Sequence, residues 1–194
     1  MKKLHEGGVT SQTAAIVVIL AIALAGTTGW YLLTSGKTSQ EGGENNIETE
    51  FNIGTELGQI APNFTLTDIN GVTFSLSDYR GKIVVIDFMA TWCGPCVAQM
   101  GHLKQLYDNY NALGVVIMSI GVDPRESNEI LRQFKETFGD DWIFASGPTV
   151  GTTYGVIYIP TLYIIDQQGR IAYKNVGVTT YSTIAAKIDN LLSS

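Results

Sequence analysis

The spacing of apolar and polar residues changes several times along this 194-residue chain, and each change marks an element. From Ala14 to Leu33 the chain reads AAIVVILAIALAGTTGWYLL. This uncharged run has the ~20 residues that a helix needs to cross the hydrocarbon core of a bilayer. Residues 34–56 are rich in Gly, Ser, Thr, Asn and Glu and too poor in apolar side chains to hold a fold, so they read as a flexible spacer. Shorter patterns follow from residue 58. Phe64 to Leu76 nearly alternates apolar and polar residues on both sides of Asn70-Gly71, a β-hairpin signal. Lys82 to Met89 holds the continuous apolar run of a buried central strand. Val97, Met100, Leu103, Leu106, Tyr107 and Tyr110 recur at three- and four-residue steps, predicting a helix that Gly114 ends. Val115 to Ile120 reads as a strand, Asp123-Pro124 as the opening of a helix through Ile130, Leu131, Phe134 and Phe138, and Trp142 to Ala145 as a short strand. The Gly147 to Gly155 segment reads as a loop leading towards Pro160, and the aromatics from Tyr154 to Tyr163 as sheet and core. Thr161 to Asp166 and Arg170 to Val176 read as strands turned at Gln168-Gly169, and Thr180 to Leu192 as a closing amphipathic helix. Strand–helix–strand crossovers followed by a hairpin and a last helix predict an α/β domain over residues 57–194, with a mixed sheet covered on both faces.

Charge adds direction. The net charge is −6 and the basic residues form no run, which argues against nucleic-acid binding driven by phosphate contacts. Residues 1–13 carry Lys2 and Lys3 against Glu6, whereas residues 34–57 carry Lys37 against Glu41, Glu44, Glu48, Glu50 and Glu56. Positive charge before an apolar run places residues 1–13 in the cytoplasm and everything after Leu33 outside. Trp30 and Tyr31 suit the membrane–water interface at the far end. The expectation is a signal anchor over Ala14 to Leu33: one pass through the cytoplasmic membrane, with the C-terminal domain on the extracytoplasmic side. One rival is a cleaved signal peptide, with Ala23-Leu24-Ala25 before Gly26 as the cleavage site, which exports the domain equally. The other is a buried core helix, which an uncharged N-terminal run followed by a polar spacer fits poorly.

The chemistry centres on the only two cysteines, Cys93 and Cys96. A structural zinc site takes four ligands, and this chain has two Cys and two His, with His5 on the far side of the apolar run. No metal and no cofactor are expected. A structural staple is permitted outside the cell, but a bridge across two residues closes almost no loop and stabilises little. Thiol–disulfide exchange fits better. The pair lies between a strand and a helix start, where unpaired N–H groups and the helix dipole lower a thiol's pKa. Cys93 is expected as the exposed attacker and Cys96, one turn in, as the buried resolver. Gly94 lets the turn run tight, and Pro95 fixes φ for helix entry.

Asp87-Phe-Met-Ala-Thr-Trp-Cys-Gly-Pro-Cys closely resembles the active-site stretch of thioredoxins, and Ile159-Pro160-Thr161 before a strand resembles their cis-proline loop. GQIAPNFTLTDINGVTFSLSDYRGK, residues 58–82, is similar to the opening of the membrane-anchored TlpA/ResA-like branch. The resemblance implies a thioredoxin fold with an added N-terminal β-hairpin. It implies a redox-active Cys93–Cys96 disulfide, with Cys93 as nucleophile and Cys96 as resolving thiol. Trp92 would flank the pair and contribute to docking, Pro160 would be cis, and Pro160 with Thr161 would receive substrate backbone. Asp87 would move a proton to or from Cys96, against the plainer alternative of a satisfied strand-end carboxylate. The implied partners are exported protein thiols and disulfides together with a membrane electron donor.

The chain departs from the branch at Gln99, Met100 and Gly101, where many members carry Glu and then Met-Pro. Gln cannot titrate, which argues against a specific role in cytochrome c maturation. Met89 replaces a frequent tryptophan. Gly-Pro between the cysteines resembles reducing thioredoxins, so the expected activity is disulfide reduction. Oxidase or isomerase action, a peroxiredoxin-type peroxidase and a metal carrier are the alternatives, although the peroxidase context Pro-x-x-x-Thr-x-x-Cys is absent. His102 is a minor candidate base, and Asn63-Phe-Thr65 is a glycosylation sequon.

Overall fold

A computed structural model describes residues 52–138 and 141–194. The apolar run 14–33, the segment before it and residues 34–51 of the spacer lie outside the described residues. Among the described residues no helix is long and apolar enough to cross a membrane.

The strands are β1 (Thr65–Thr67), β2 (Thr73–Ser75), β3 (Val84–Met89), β4 (Val116–Gly121), β5 (Ile143–Ser146), β6 (Thr161–Ile165) and β7 (Ile171–Val176). The helices are α1 (Gly94–Tyr110), α2 (Asn128–Glu136), α3 (Pro148–Thr153) and α4 (Tyr181–Leu192). Five strands form one sheet in the order β5-β4-β3-β6-β7. β3 pairs parallel with β4, and β4 with β5, through crossovers that contain α1 and α2. β3 and β6 pair antiparallel, as do β6 and β7. β3 is therefore the central strand, buried along its whole length. That position selects for the run Val84-Val-Ile-Asp-Phe-Met, in which only Asp87 is polar.

The side chains of β3 divide the core in two. Val85 and Met89 join Met100, Leu103 and Leu106 of α1, Ile184 and Ile188 of α4, and both cysteines. Val84, Ile86 and Phe88 join Phe64, Phe74, Leu76, Val150 of α3 and Tyr154 on the opposite face. Each such fully buried side chain contributes roughly 1.5–3 kcal/mol relative to exposure. In the second layer Tyr154 and Tyr163 are edge-on, with ring centroids 5.3 Å apart. Their buried hydroxyls donate to the carbonyls of Pro62 and Tyr154 respectively.

Three segments differ from the sequence reading. The segment 147–155 contains helix α3 instead of continuous loop. Pro148 starts it, Val150 is buried in the core, and Gly151 passes so close to β4's end that a Cβ there would lie 2.6 Å from Val122 Cγ1. Helix α2 begins not at Asp123-Pro124 but at Asn128, with Ser127 as its N-cap; Asp123 is used elsewhere. Tyr158, counted among the core aromatics, is exposed.

β1 and β2 pair antiparallel through residues 68–72, where Asp68 Oδ1 accepts the N–H groups of Asn70 and Val72 at 2.8 Å each. Residues 52–56 also lie on the domain. Gly54 N–H donates to Ile60 O at 3.0 Å, and Lys174 Nζ pairs with Glu56 at 3.0 Å.

Candidate functional site

β3 ends at Met89, and Ala90-Thr91-Trp92 carries the chain to the start of α1. Cys93 is the N-cap of α1, with Gly94 and Pro95 in its first turn. Cys93 and Cys96 are joined as a disulfide. The N–H of Cys96 donates to Cys93 Sγ at 3.2 Å, so an otherwise unpaired donor of the helix start points at that sulfur. On reduction the same N–H and the positive end of the helix dipole favour a thiolate at Cys93. Cys93 is less open than the sequence reading expects: 5% of it is accessible, against none of Cys96. The cause is the loop opposite, where the Ile159–Pro160 bond is cis and Ile159 O lies 3.8 Å from Cys93 Sγ. Thr161 next to it is buried, and its hydroxyl donates to Tyr158 O at 2.6 Å. Around this narrow opening Trp92, Val97, Ile157 and Tyr158 are exposed apolar side chains.

The residues before Cys93 are clamped from the β4–α2 connection. The N–H of Thr91 donates to both carboxylate oxygens of Glu126, at 2.9 and 3.2 Å, and its hydroxyl donates to Glu126 Oε1. Trp92 Nε1–H donates to Asp123 Oδ2 at 2.8 Å. Arg125 grips the same carboxylate through Nε at 2.9 Å and Nη2 at 2.6 Å. Hydrogen bonds from Arg125, with that from Trp92, hold the Asp123 carboxyl well below the usual carboxylate range. Glu126 and Thr91 were not singled out from sequence, and Asp123 was read as a helix opener. The partners lie 31 to 35 residues apart in the chain, and the fold alone brings them together.

Asp87 extends from the centre of β3 on the face that carries the cysteines, since Val85 and Met89, two residues either side, pack in the layer that holds Cys93 and Cys96. It is fully buried, and neither carboxyl oxygen has a hydrogen-bond partner among the described residues. No protein group of the strand end satisfies this carboxyl. Burial pushes its carboxyl up to about 8, close to the ~8.5 of a free thiol. Gln99, one turn after Cys96, is fully buried. His102 is half-buried, six residues beyond Cys96 on α1.

A mixed sheet flanked by helices, a Cys-Gly-Pro-Cys disulfide at a helix start and a cis-proline loop set against its first sulfur define a thioredoxin-fold thiol–disulfide oxidoreductase. The comparisons narrow this. The chain belongs to the AhpC/TSA family of the thioredoxin superfamily, whose model matches residues 57–174. Among its relatives is the thiol-disulfide oxidoreductase ResA of Bacillus thuringiensis subsp. konkukian, 32% identical over 84% of this chain and 87% of that protein. The thioredoxin-like protein YneN of Bacillus subtilis is 32% identical over 88% of this chain and 94% of its own length. The thioredoxin domain of a thiol-disulfide oxidoreductase from Bacteroides vulgatus superposes with a TM-score of 0.60 at 26% identity, covering 68% of this chain and 96% of that one. Where a peroxidatic cysteine would have Pro and Thr seven and three residues before it, this chain has Ile86 and Ala90.

Proposed function

We propose that this chain is a membrane-tethered reductase of disulfides in exported proteins. The observation that carries the redox step is the Cys93–Cys96 disulfide with Cys93 Sγ at the α1 N-terminus. In the reduced protein the Cys93 thiolate attacks one sulfur of a substrate disulfide. A mixed disulfide forms and the other substrate sulfur leaves as a thiolate. Cys96 then loses its proton and attacks Cys93 Sγ, the second substrate thiolate leaves, and the Cys93–Cys96 disulfide closes. Two electrons pass from the dithiol to the substrate, and two protons follow them. A carboxylate titrating near 8 exchanges a proton with a thiol at little energetic cost, which fits Asp87 to serve Cys96. Trp92 and the Ile159-Pro160-Thr161 loop flank the sulfur at which the substrate binds.

The tether rests on the uncharged run 14–33 after Lys2 and Lys3. Outside the cytoplasm disulfides accumulate, so a reductase there needs electrons resupplied, and a dithiol donor in the same membrane meets that need. Reduction of insulin by the full chain, with and without Cys93→Ser, tests the activity. Loss in the variant is expected, and equal turnover by both proteins overturns it. Protease accessibility of residues 57–194 in intact cells and in cells opened to the cytoplasm tests the tether.

A further inference from the structure

We infer that Gln99 is a positioning residue that sets how the cis-proline loop sits against Cys93. Its amide spans the gap between α1 and the connection from β7 to α4. Gln99 Oε1 accepts the Thr179 N–H at 2.7 Å, and Gln99 Nε2 donates to Thr179 O at 3.1 Å. Both residues are buried, so water does not replace either bond. Thr179 is tied on towards the site. Asn175 Nδ2 donates to Thr179 Oγ1 at 3.0 Å and to Gly177 O at 3.1 Å. The Gly177 N–H in turn donates to Pro160 O at 2.8 Å. Gly177 has φ +94°, a conformation that side-chain-bearing residues rarely adopt, so this turn is built for the contact. Pro160 follows Ile159, whose carbonyl lies against Cys93 Sγ. The path therefore closes on itself: Cys93, α1, Gln99, Thr179, Gly177, Pro160, Ile159 and back to Cys93.

Only a group that both donates and accepts completes this ring. An amide does so at every pH. A carboxyl does so only while protonated, because a carboxylate accepts from the Thr179 N–H but faces Thr179 O with no proton to give. Gln99 thus fixes the substrate-receiving loop independently of pH. This inference rests on Cys93–Cys96 being the working couple, and it has an arm that does not.

The test uses the full chain with Gln99→Glu and Gln99→Ala. Their kcat/KM for a protein disulfide is divided by that of wild type from about pH 5 to about pH 9. Asp87 on β3 and the couple itself titrate in the same core layer, and the ratio removes what they contribute equally to both proteins. For Gln99→Glu the ratio is expected to stay near one at the acid end and fall about tenfold with rising pH, as a displaced loop misplaces the substrate. For Gln99→Ala it is low throughout. A flat Gln99→Glu ratio, or Gln99→Ala equal to wild type, overturns the inference. Should Gln99→Ala not fold, Gln99→Glu carries the test through its pH profile. Amide hydrogen exchange in the oxidised protein supplies the second arm. Loss of protection at the Gly177 N–H in Gln99→Glu at high pH supports the ring, and unchanged protection there refutes the coupling. An inactive wild type would overturn the reductase reading and leave the exchange arm to decide this one.

Discussion

Replacing Asp87 by Asn separates the energetic cost of the buried carboxyl from its use. Burial lifts its titration from the ordinary 3.8 to about 8. Between those values the unfolded chain has lost the proton and the folded protein has kept it. The folded state then binds more protons, so stability falls as pH rises through the window. Each pH unit in the window removes about 1.4 kcal/mol, so by pH 7 the folded protein has lost on the order of 4 kcal/mol relative to acid. Asn does not titrate. The stability of Asp87→Asn minus that of wild type should therefore climb from about pH 4 to about pH 8 and level off above. The fit of the amide sets the starting value of this difference and leaves its slope unchanged. Urea unfolding of both oxidised proteins at a series of pH values reads that slope directly. A difference that stays constant from about pH 5 to about pH 8 refutes the assignment of a proton to Asp87 in the folded protein. The same substitution should slow turnover near neutral pH on the order of a hundredfold if the carboxyl passes protons to Cys96.

Three other outcomes follow from the site. Glu126→Ala leaves the half-buried Thr91 N–H without its acceptor and should cost about 1 kcal/mol, read as a lower urea midpoint with an unchanged slope. Asp123→Asn weakens the grip on Trp92 Nε1–H, so the exposed indole should gain mobility, seen as lower fluorescence anisotropy of that tryptophan, with a raised KM and little change in kcat. Cys96→Ala keeps the attacker and removes the release step, so mixed disulfides on Cys93 should accumulate in cells as reducible high-mass species.

Much of the fold was legible because local pattern and tertiary role agree. β3 is buried on both faces and reads as an unbroken apolar run; α1 buries one stripe and reads at helical spacing. The reading failed where tertiary contacts override local preference. Pro148-Thr-Val-Gly-Thr-Thr is a poor helix sequence, yet α3 forms because Val150 and Gly151 pack against the sheet layer. Asp123 looks like a helix cap, but its carboxylate is taken by Trp92 and Arg125, and Ser127 caps α2 instead. The couple at Cys93 and Cys96 was visible because all its parts lie within four residues. The groups that hold it were not, since Glu126 meets Thr91 across 35 residues and Gln99 meets Thr179 across 80. Gln99 stood out only as a missing acid, and the structure shows what its amide does in that place.

The midpoint potential of the Cys93–Cys96 couple, measured by equilibrating the full chain in dithiol and disulfide buffers, bears most directly on disulfide reduction as the task. A value near the −270 mV that is typical of reducing thioredoxins is expected, to within about 30 mV. A value above about −180 mV would make the dithiol a poor electron donor to substrate disulfides and contradict the reductase assignment.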